Sequence, residues 1–263
     1  MSLKTQRKEE QALAGLTREQ LLRSYRLMYM ARSLDDKMMA LLKQGRSVFH
    51  VGSSGHEAIQ VALAYAMNPG SDWFYPYYRD LTVCLSLGVD PRDILLQFLS
   101  KKDDPASGAR QMPMHFGDTN LRIVTQSSST GTQYLQAVGT ALGSVRKGTD
   151  EVVMVSSGDG TTSQGDFHEA LNFASREKLP VIFLIEDNHY AISVPVEQQT
   201  AGTAYDIVAG YQNLQRYRVD GTNIPESYEL SREVVQRTRE REGPAVIVAD
   251  VVRLVPHSSS DDQ

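Results

Sequence analysis

The order of apolar and polar residues predicts helices in the first half of the chain and alternating strands and helices in the second. A capping box at residues 17–20 begins a helix that runs to about residue 43. The other predicted helices are 56–67, 81–87, 91–100, 130–146, 163–178 and 231–241, and the predicted strands are 74–79, 151–156, 180–185 and 245–253. Apolar strands that alternate with helices predict an α/β protein whose mainly parallel sheet carries helices on both faces.

Two segments lack this periodicity. Residues 1–15 are polar and are predicted to be a flexible lead-in, so a single domain is expected over residues 16–263. Residues 101–129 form a long irregular stretch, which in a compact domain is either functional or disordered. Its Met-Pro-Met-His-Phe run at 112–116 is unusually apolar for a disordered segment, and this favours a functional loop.

Composition narrows the possible partners and the compartment. Lys and Arg total 27 against 32 Asp and Glu, a net charge of −5, so we expect no broad basic face for nucleic acid. No apolar run reaches the ~18 residues of a membrane span, and the first residues lack the apolar core of a signal peptide. Cys84 is the single cysteine and stands in an apolar run, which predicts a buried structural thiol and a cytoplasmic protein.

The first candidate ligand-binding residues follow the predicted strand 151–156, in the Gly158-Asp-Gly160 turn. Loops after the carboxyl ends of parallel strands bind ligands, and the two glycines allow the backbone to approach a phosphate closely. The helix that follows adds partial positive charge at its N-terminus. Asp159 would repel a bare phosphate, so its presence indicates a divalent cation between the carboxylate and the anion.

The next predicted strand ends in a second polar group. Residues 161–186 are enough for one helix and one returning strand, so Asp159 and Asn188 are predicted to lie at adjacent strand ends. There they can share one Mg²⁺ that bridges to a diphosphate. The alternative reading takes both segments as ordinary turns, and either segment alone would favour it. The pairing of both at matching strand ends is much more specific.

These motifs make the sequence similar to a known family, the alpha subunits of thiamine-diphosphate-dependent 2-oxo acid dehydrogenases. The resemblance covers residues 16–263 and includes the 158–174 run, the 188–193 run, Tyr78-Arg79 and the segments 16–22, 55–58, 110–115, 136–139, 219–221 and 257–262. It implies a three-layer α/β/α thiamine-diphosphate-binding fold and the decarboxylating activity of such a complex. The 110–115 and 257–262 segments look more like the branched-chain members than the pyruvate or acetoin members.

The resemblance also implies a set of site residues. Asp159, Asn188 and the carbonyl of Tyr190 would bind Mg²⁺. The residues implied to contact thiamine diphosphate are Tyr78, Arg79, Ser128, Thr130, Gly158, Gly160, Thr161, Asn188 and Ile192. His257 matches a catalytic histidine that assists acyl transfer. A possible K⁺ site matches Ser127, Ser129, Thr132 and Gln133. Ser258 lies where some animal members are phosphorylated.

The expected partners are a beta subunit in an α2β2 assembly, a lipoyl-bearing acyltransferase and a small 2-oxo acid. In the family the beta subunit supplies the glutamate that activates the cofactor, so this chain alone is expected to be inactive. Two alternatives remain at this point, namely another thiamine-dependent lyase or transketolase-type enzyme with its own glutamate, and a non-catalytic thiamine-fold subunit.

The sequence departs from the family pattern at four places. Asp187 replaces the first Asn of the usual Asn-Asn pair, and His56 stands where Gln is common. Glu186 stands where branched-chain members often have Arg, and we expect its carboxylate to turn away from the diphosphate or to pair with a base. The sequence ends at Gln263, where family members continue with further helices, so we expect those helices to be missing or replaced.

Overall fold

A five-stranded, entirely parallel sheet forms the centre of the computed structural model, which describes residues 13–261. The strand order is β1-β2-β3-β7-β6. The strands are β1 (Trp73–Tyr75), β2 (Val153–Gly158), β3 (Val181–Asp187), β6 (Gln215–Asp220) and β7 (Ala245–Asp250), and a small antiparallel hairpin joins β4 (Tyr190–Ala191) to β5 (Val194–Pro195). The lead-in predicted for residues 1–15 lies outside the described residues except for 13–15.

Helices cover both faces of this sheet. They are α1 (Arg18–Lys43), α2 (Glu57–Ala66), α3 (Leu81–Leu87), α4 (Pro91–Phe98), α5 (Thr132–Lys147), α6 (Gly165–Glu177), α7 (Val196–Gln199), α8 (Ala204–Ile207) and α9 (Ile224–Arg239). Alternate strand residues point to opposite faces. Met154 and Ile182 therefore pack with α1 to α4 and α9, whereas Val153 and Phe183 pack with α5, α6 and α8. The predicted three-layer α/β/α architecture is confirmed.

Local signals place several element ends where the sequence predicts them. Thr17 accepts from the backbone of Gln20, whose side chain accepts in return from the Thr17 backbone, so α1 starts with the predicted capping box. Pro91 occupies the first turn of α4.

Cys84 is fully buried in α3, and burial raises the pKa of its thiol well above its ordinary value.

Several predicted boundaries or elements were wrong. The strand predicted over 74–79 ends at Tyr75, and the β4–β5 hairpin and the short helices α7 and α8 were not predicted. Strand β6 was missed because its side chains are mostly exposed and give no apolar run. Helix α9 begins seven residues before the predicted start at 231, because Asn223 caps it and a proline occupies its first turn. Strand β7 ends at Asp250 rather than 253. A 3₁₀ turn, Asp159–Ser163, separates β2 from α6, whose predicted start was residue 163.

Residues 101–129 contain no regular helix or strand but are well packed. Ile123 pairs with β1 through the backbone of Phe74, and the Asp104 side chain accepts from several amides of its own loop. Within residues 13–261, no helix combines the length and the apolarity needed to cross a bilayer.

Candidate active site

The ends of β2 and β3 bring Asp159 and Asn188 into contact. The two strands are parallel neighbours, with Gly158 opposite Glu186, so their following residues emerge at the same sheet edge. The backbone N–H of Asn188 donates to Asp159 Oδ1 at 3.3 Å. The adjacency that the sequence predicts for these two residues is therefore confirmed.

The Asp159 carboxylate has the environment of a cation ligand. It is 2% exposed, and its Oδ2 has no hydrogen-bond partner. Burial, and then the charge of Asp187, raises the pKa of Asp159 to about 6. An unpaired buried carboxylate oxygen is costly, and a bound cation would remove that cost. These residues fit a divalent cation held by few protein ligands.

Asn188 contributes a second oxygen at the same place. Its Oδ1 accepts from the backbone N–H of Tyr190 at 3.3 Å, and its side chain is buried. Among residues 13–261 there is no cluster of three or more His, Cys, Asp or Glu side chains arranged for a metal. A cation here would therefore use the mixed set that the sequence predicts, a carboxylate, an amide oxygen and a main-chain carbonyl.

The glycine turn is closed over by the β4–β5 hairpin. A Cβ on Gly160 would lie 2.7 Å from the Cβ of Ala191, closer than real Cβ contacts. Gln199 Nε2 donates to the carbonyls of Asp159 and Gly160 at 3.2 and 3.0 Å, which ties α7 to the same turn. Glycine at position 160 therefore lets the hairpin pack directly on the turn.

A cavity of about 380 Å³ opens above these strand ends. Every residue predicted to contact the cofactor lines it, together with the predicted metal ligand Tyr190 and the predicted catalytic His257: Tyr78, Arg79, Ser128, Thr130, Gly158, Gly160, Thr161, Asn188, Tyr190, Ile192 and His257. Asp159 is buried between two lining residues, Gly158 and Gly160, and does not itself line the cavity. Residues separated by up to 179 positions in sequence thus share one concave site of the size that holds a cofactor.

Arg79 and His257 form a hydrogen-bonded pair in the cavity wall. Arg79 Nη2 lies 2.9 Å from His257 Nδ1 and donates to the His257 carbonyl at 3.0 Å, while Nη1 donates to Gly52 O at 2.7 Å. Burial and then the charge of Arg79 lower the pKa of His257 to about 4. Because an arginine can only donate, Nδ1 of the neutral imidazole is the acceptor and Nε2 carries the proton. His257 is therefore a neutral N–H donor.

Ser128 and the residues around it come from the long loop and the start of α5. Ser128 Oγ lies 2.7 Å from His115 Nε2, which fixes this hydroxyl at the cavity wall. Of the residues predicted for K⁺, Thr132 Oγ1 donates to the Ser129 carbonyl at 3.0 Å. The Gln133 amide accepts from Gly131 N–H and donates to the Ser156 carbonyl. Ser129 N–H donates to Ser127 Oγ. None of the four residues predicted to bind K⁺ lines the cavity. The K⁺ site stays a prediction.

Glu186 turns away from the cavity and pairs with a base, as expected. Its fully buried Oε2 lies 2.5 Å from His56 Nδ1 and accepts from Tyr77 Oη at 3.0 Å. Gln60 Nε2 donates to both carboxylate oxygens. Burial, and then the charge of Glu186, raises the pKa of nearby Asp80 well above its ordinary value, and burial raises the pKa of Glu186 itself to about 7.

Some site residues carry no sequence signal of their own. The lining residues not predicted as contacts are Phe49, Val51, Tyr77, Met112, Pro113, His115, Gln126 and Ala191. Met112, Pro113, His115 and Gln126 belong to the 101–129 stretch that the sequence predicts to be functional, whereas most of the others come from irregular segments that no motif marks. His50 does not line the cavity: its ring is buried, lies 3.4 Å from Asp35 and packs on Phe98.

Known proteins with similar sequences point to the same family as the residues of this cavity. Residues 25–263 match the family model described as "Dehydrogenase E1 component". The chain is 43% identical over 249 residues to the 2-oxoisovalerate dehydrogenase subunit alpha of Bacillus subtilis, an alignment that covers 94% of this chain and 75% of that protein. It is 35% identical over 238 residues to the 3-methyl-2-oxobutanoate dehydrogenase subunit alpha of Mycobacterium tuberculosis, covering 90% and 62%.

A pyruvate-type relative is also similar. The pyruvate dehydrogenase E1 component subunit alpha of Bacillus subtilis is 34% identical over 253 residues, covering 96% of this chain and 65% of that protein. The chain thus spans between 62% and 75% of the length of these three relatives. The predicted resemblance to alpha subunits, with the branched-chain type included, is confirmed, and it implies thiamine diphosphate as the cofactor. The chain belongs to the dehydrogenase E1 component family.

Proposed function

We propose that this chain is the alpha subunit of the decarboxylating component of a branched-chain 2-oxo acid dehydrogenase. The observation that carries the proposal is the contact between Asp159 and Asn188 at neighbouring strand ends, next to a cavity lined by all the expected cofactor residues. The names of the relatives at 43% and 35% identity support the branched-chain substrate class.

In this proposal Mg²⁺ is held by Asp159, Asn188 and the carbonyl of Tyr190. Gly160 and Thr161 present their backbone to the diphosphate, near the N-terminal end of the 3₁₀ turn. Bound thiamine diphosphate supplies the electron sink that decarboxylation of a 2-oxo acid requires. The chain's own residues bind that cofactor, exclude water from it and supply fixed hydrogen-bond donors. A K⁺ held by Ser127, Ser129, Thr132 and Gln133 would organise the loop at 127–133.

His257 has the environment of a proton donor to substrate or acyl group. Its Nε2–H is the donor left over once Arg79 has fixed Nδ1 as an acceptor. Its ring stands edge-on to Tyr78, which also lines the cavity. We assign His257 the catalytic role of holding a proton next to the reacting group during transfer to the lipoyl arm.

The substrate class follows from the apolar part of the cavity wall. Phe49, Val51 and Met112 line it, and such side chains suit an aliphatic substrate chain. The proposed partners are a beta subunit, which completes the cofactor site in an α2β2 assembly, and a lipoyl-bearing acyltransferase. The proposed compartment is the cytoplasm, which a single buried thiol supports.

Calorimetry and steady-state rates test the proposal together. The chain co-expressed with its beta subunit is titrated with thiamine diphosphate, with and without Mg²⁺, and then assayed with 2-oxoisovalerate and pyruvate. We expect Mg²⁺-dependent binding and a higher kcat/KM for 2-oxoisovalerate, with no activity for the alpha chain alone. A higher value for pyruvate would assign the pyruvate class, and no binding in the assembled complex would reject the thiamine site.

A further inference from the structure

His56 is fully buried, and its ring lies beside the side chain of Asn188, a proposed metal ligand. Its two ring nitrogens face different partners: Nδ1 is 2.5 Å from Glu186 Oε2, and Nε2 is 3.5 Å from the side-chain Nδ2 of Asn188. The ring therefore connects a buried carboxylate to the amide that is to ligate the cation. None of the roles proposed above uses His56 or Glu186.

The contacts of Glu186 determine which nitrogen of His56 carries the proton. Tyr77 Oη and Gln60 Nε2 both direct hydrogens at the Glu186 oxygens, so this carboxylate is an acceptor. His56 Nδ1 completes the set as a third donor. A neutral imidazole has one N–H, and Nε2 is consequently left with a lone pair.

The lone pair on Nε2 fixes the orientation of the Asn188 amide. Only the NH₂ end of an amide can donate to it, so Nδ2 faces His56 and Oδ1 faces the other way. Oδ1 also accepts from Tyr190 N–H, which agrees with this orientation. The reverse orientation would present two N–H groups, which cannot ligate a cation, at the metal position.

We propose that His56 is a positioning residue that, with its tautomer set by Glu186, holds the Asn188 amide with its oxygen toward the metal. The proposal rests on the function proposed above. Partners of this kind, one step removed from the metal, change metal affinity by about tenfold to a hundredfold when they are removed.

Two conservative variants distinguish the contact of Nδ1 with Glu186 from the contact of Nε2 with Asn188. In H56Q the amide reaches the position of Nε2 and its oxygen can accept from Asn188. In H56N the shorter amide reaches only the position of Nδ1, which keeps the Glu186 contact and loses Asn188. Both replace a buried imidazole by a smaller amide, so a general packing cost affects both.

The assembled alpha–beta complex is titrated with Mg²⁺ at saturating thiamine diphosphate, by calorimetry. We expect H56N to weaken Mg²⁺ binding about tenfold or more, and H56Q to retain it within about threefold of the parent. H50N is the matched control, since His50 is equally buried and faces a carboxylate away from the cavity. Equal Mg²⁺ affinities for H56N and H56Q overturn the proposal, whereas a parent complex that binds no cofactor overturns the proposed function instead.

A second measurement determines the tautomer of His56 directly in the unsubstituted protein. With ¹⁵N-histidine, nitrogen shifts distinguish a protonated from an unprotonated ring nitrogen, and the spectrum of H56Q assigns the His56 signals. We expect a protonated Nδ1 and an unprotonated Nε2. A protonated Nε2 overturns the proposal even if H56N fails to assemble.

Discussion

Substitution of Gly160 by alanine tests whether the β4–β5 hairpin shapes the cofactor site. Gly160 does not adopt the positive φ that would itself exclude alanine. The obstacle is space, because the added Cβ would lie 2.7 Å from the Cβ and 3.1 Å from the Cα of Ala191. One of these two atoms is backbone, so no side-chain rotation relieves the contact.

The structure gives the expected size of the effect. Carbon atoms in contact prefer a separation of about 3.5–4.0 Å, so the hairpin must move away by roughly 1 Å. Overpacking of this kind costs about 1–3 kcal/mol. For a domain of this size each kcal/mol lowers Tm by about 2–4 °C. The displacement also moves Tyr190 and Ile192, which line the cavity, so cofactor affinity is expected to fall.

Thermal unfolding and cofactor titration of G160A, G165A and the parent chain measure both effects. Gly165 begins α6, and a Cβ there meets nothing within 4 Å, so G165A carries the same chemical change without the collision. We expect G160A to lose both stability and thiamine diphosphate affinity, and G165A to lose neither. If G160A unfolds at the parent Tm, the close packing of turn and hairpin is refuted. If it is destabilised but binds cofactor normally, the hairpin does not shape the site.

Four further predictions follow from the same structure. D159N should abolish Mg²⁺-dependent cofactor binding by calorimetry, yet leave the apo chain at least as stable in urea, because it removes a buried, partly unpaired charge. H257A should lower steady-state acyl transfer by about a hundredfold while cofactor affinity changes little; equal losses in both would contradict a catalytic role. V51I narrows the apolar wall and should reduce the kcat/KM ratio of 2-oxoisovalerate to pyruvate by about tenfold, and an unchanged ratio would place the substrate chain elsewhere. Burial alone would raise the pKa of Glu151, but hydrogen bonds, that of Ser144 first, lower it from 4.5 to about 2. The ionised Glu151 therefore stabilises the fold fully above pH 4.5, and this stabilisation is lost as pH falls toward 2. The free energy of unfolding in urea should consequently depend less on pH in this range for E151Q than for the parent.

The fold could be predicted from the sequence wherever burial is continuous. Strands β2 and β3 are buried along almost their whole length and stand out as apolar runs. Strand β6 lies at the edge of the sheet and has only one fully buried residue, Val219, so its pattern is that of a surface segment. β6 is held in the sheet by backbone hydrogen bonds to β7. The pattern of its own side chains gives no sign of this pairing.

The site was predictable to the extent that sheet topology alone brings residues together. Asp159 and Asn188 follow neighbouring parallel strands, and any such pair must meet at the same sheet edge. The partner of Glu186 shows the limit of this reasoning. A buried carboxylate requires hydrogen-bond donors, which is why a base could be expected, but His56 lies 130 positions away on the entry to a different helix. Only the packing of α2 against the sheet brings it there, and the same packing places its second nitrogen beside Asn188. The residue that orients a metal ligand is thus specified by tertiary contacts, whereas the ligand itself is specified by its place after a strand.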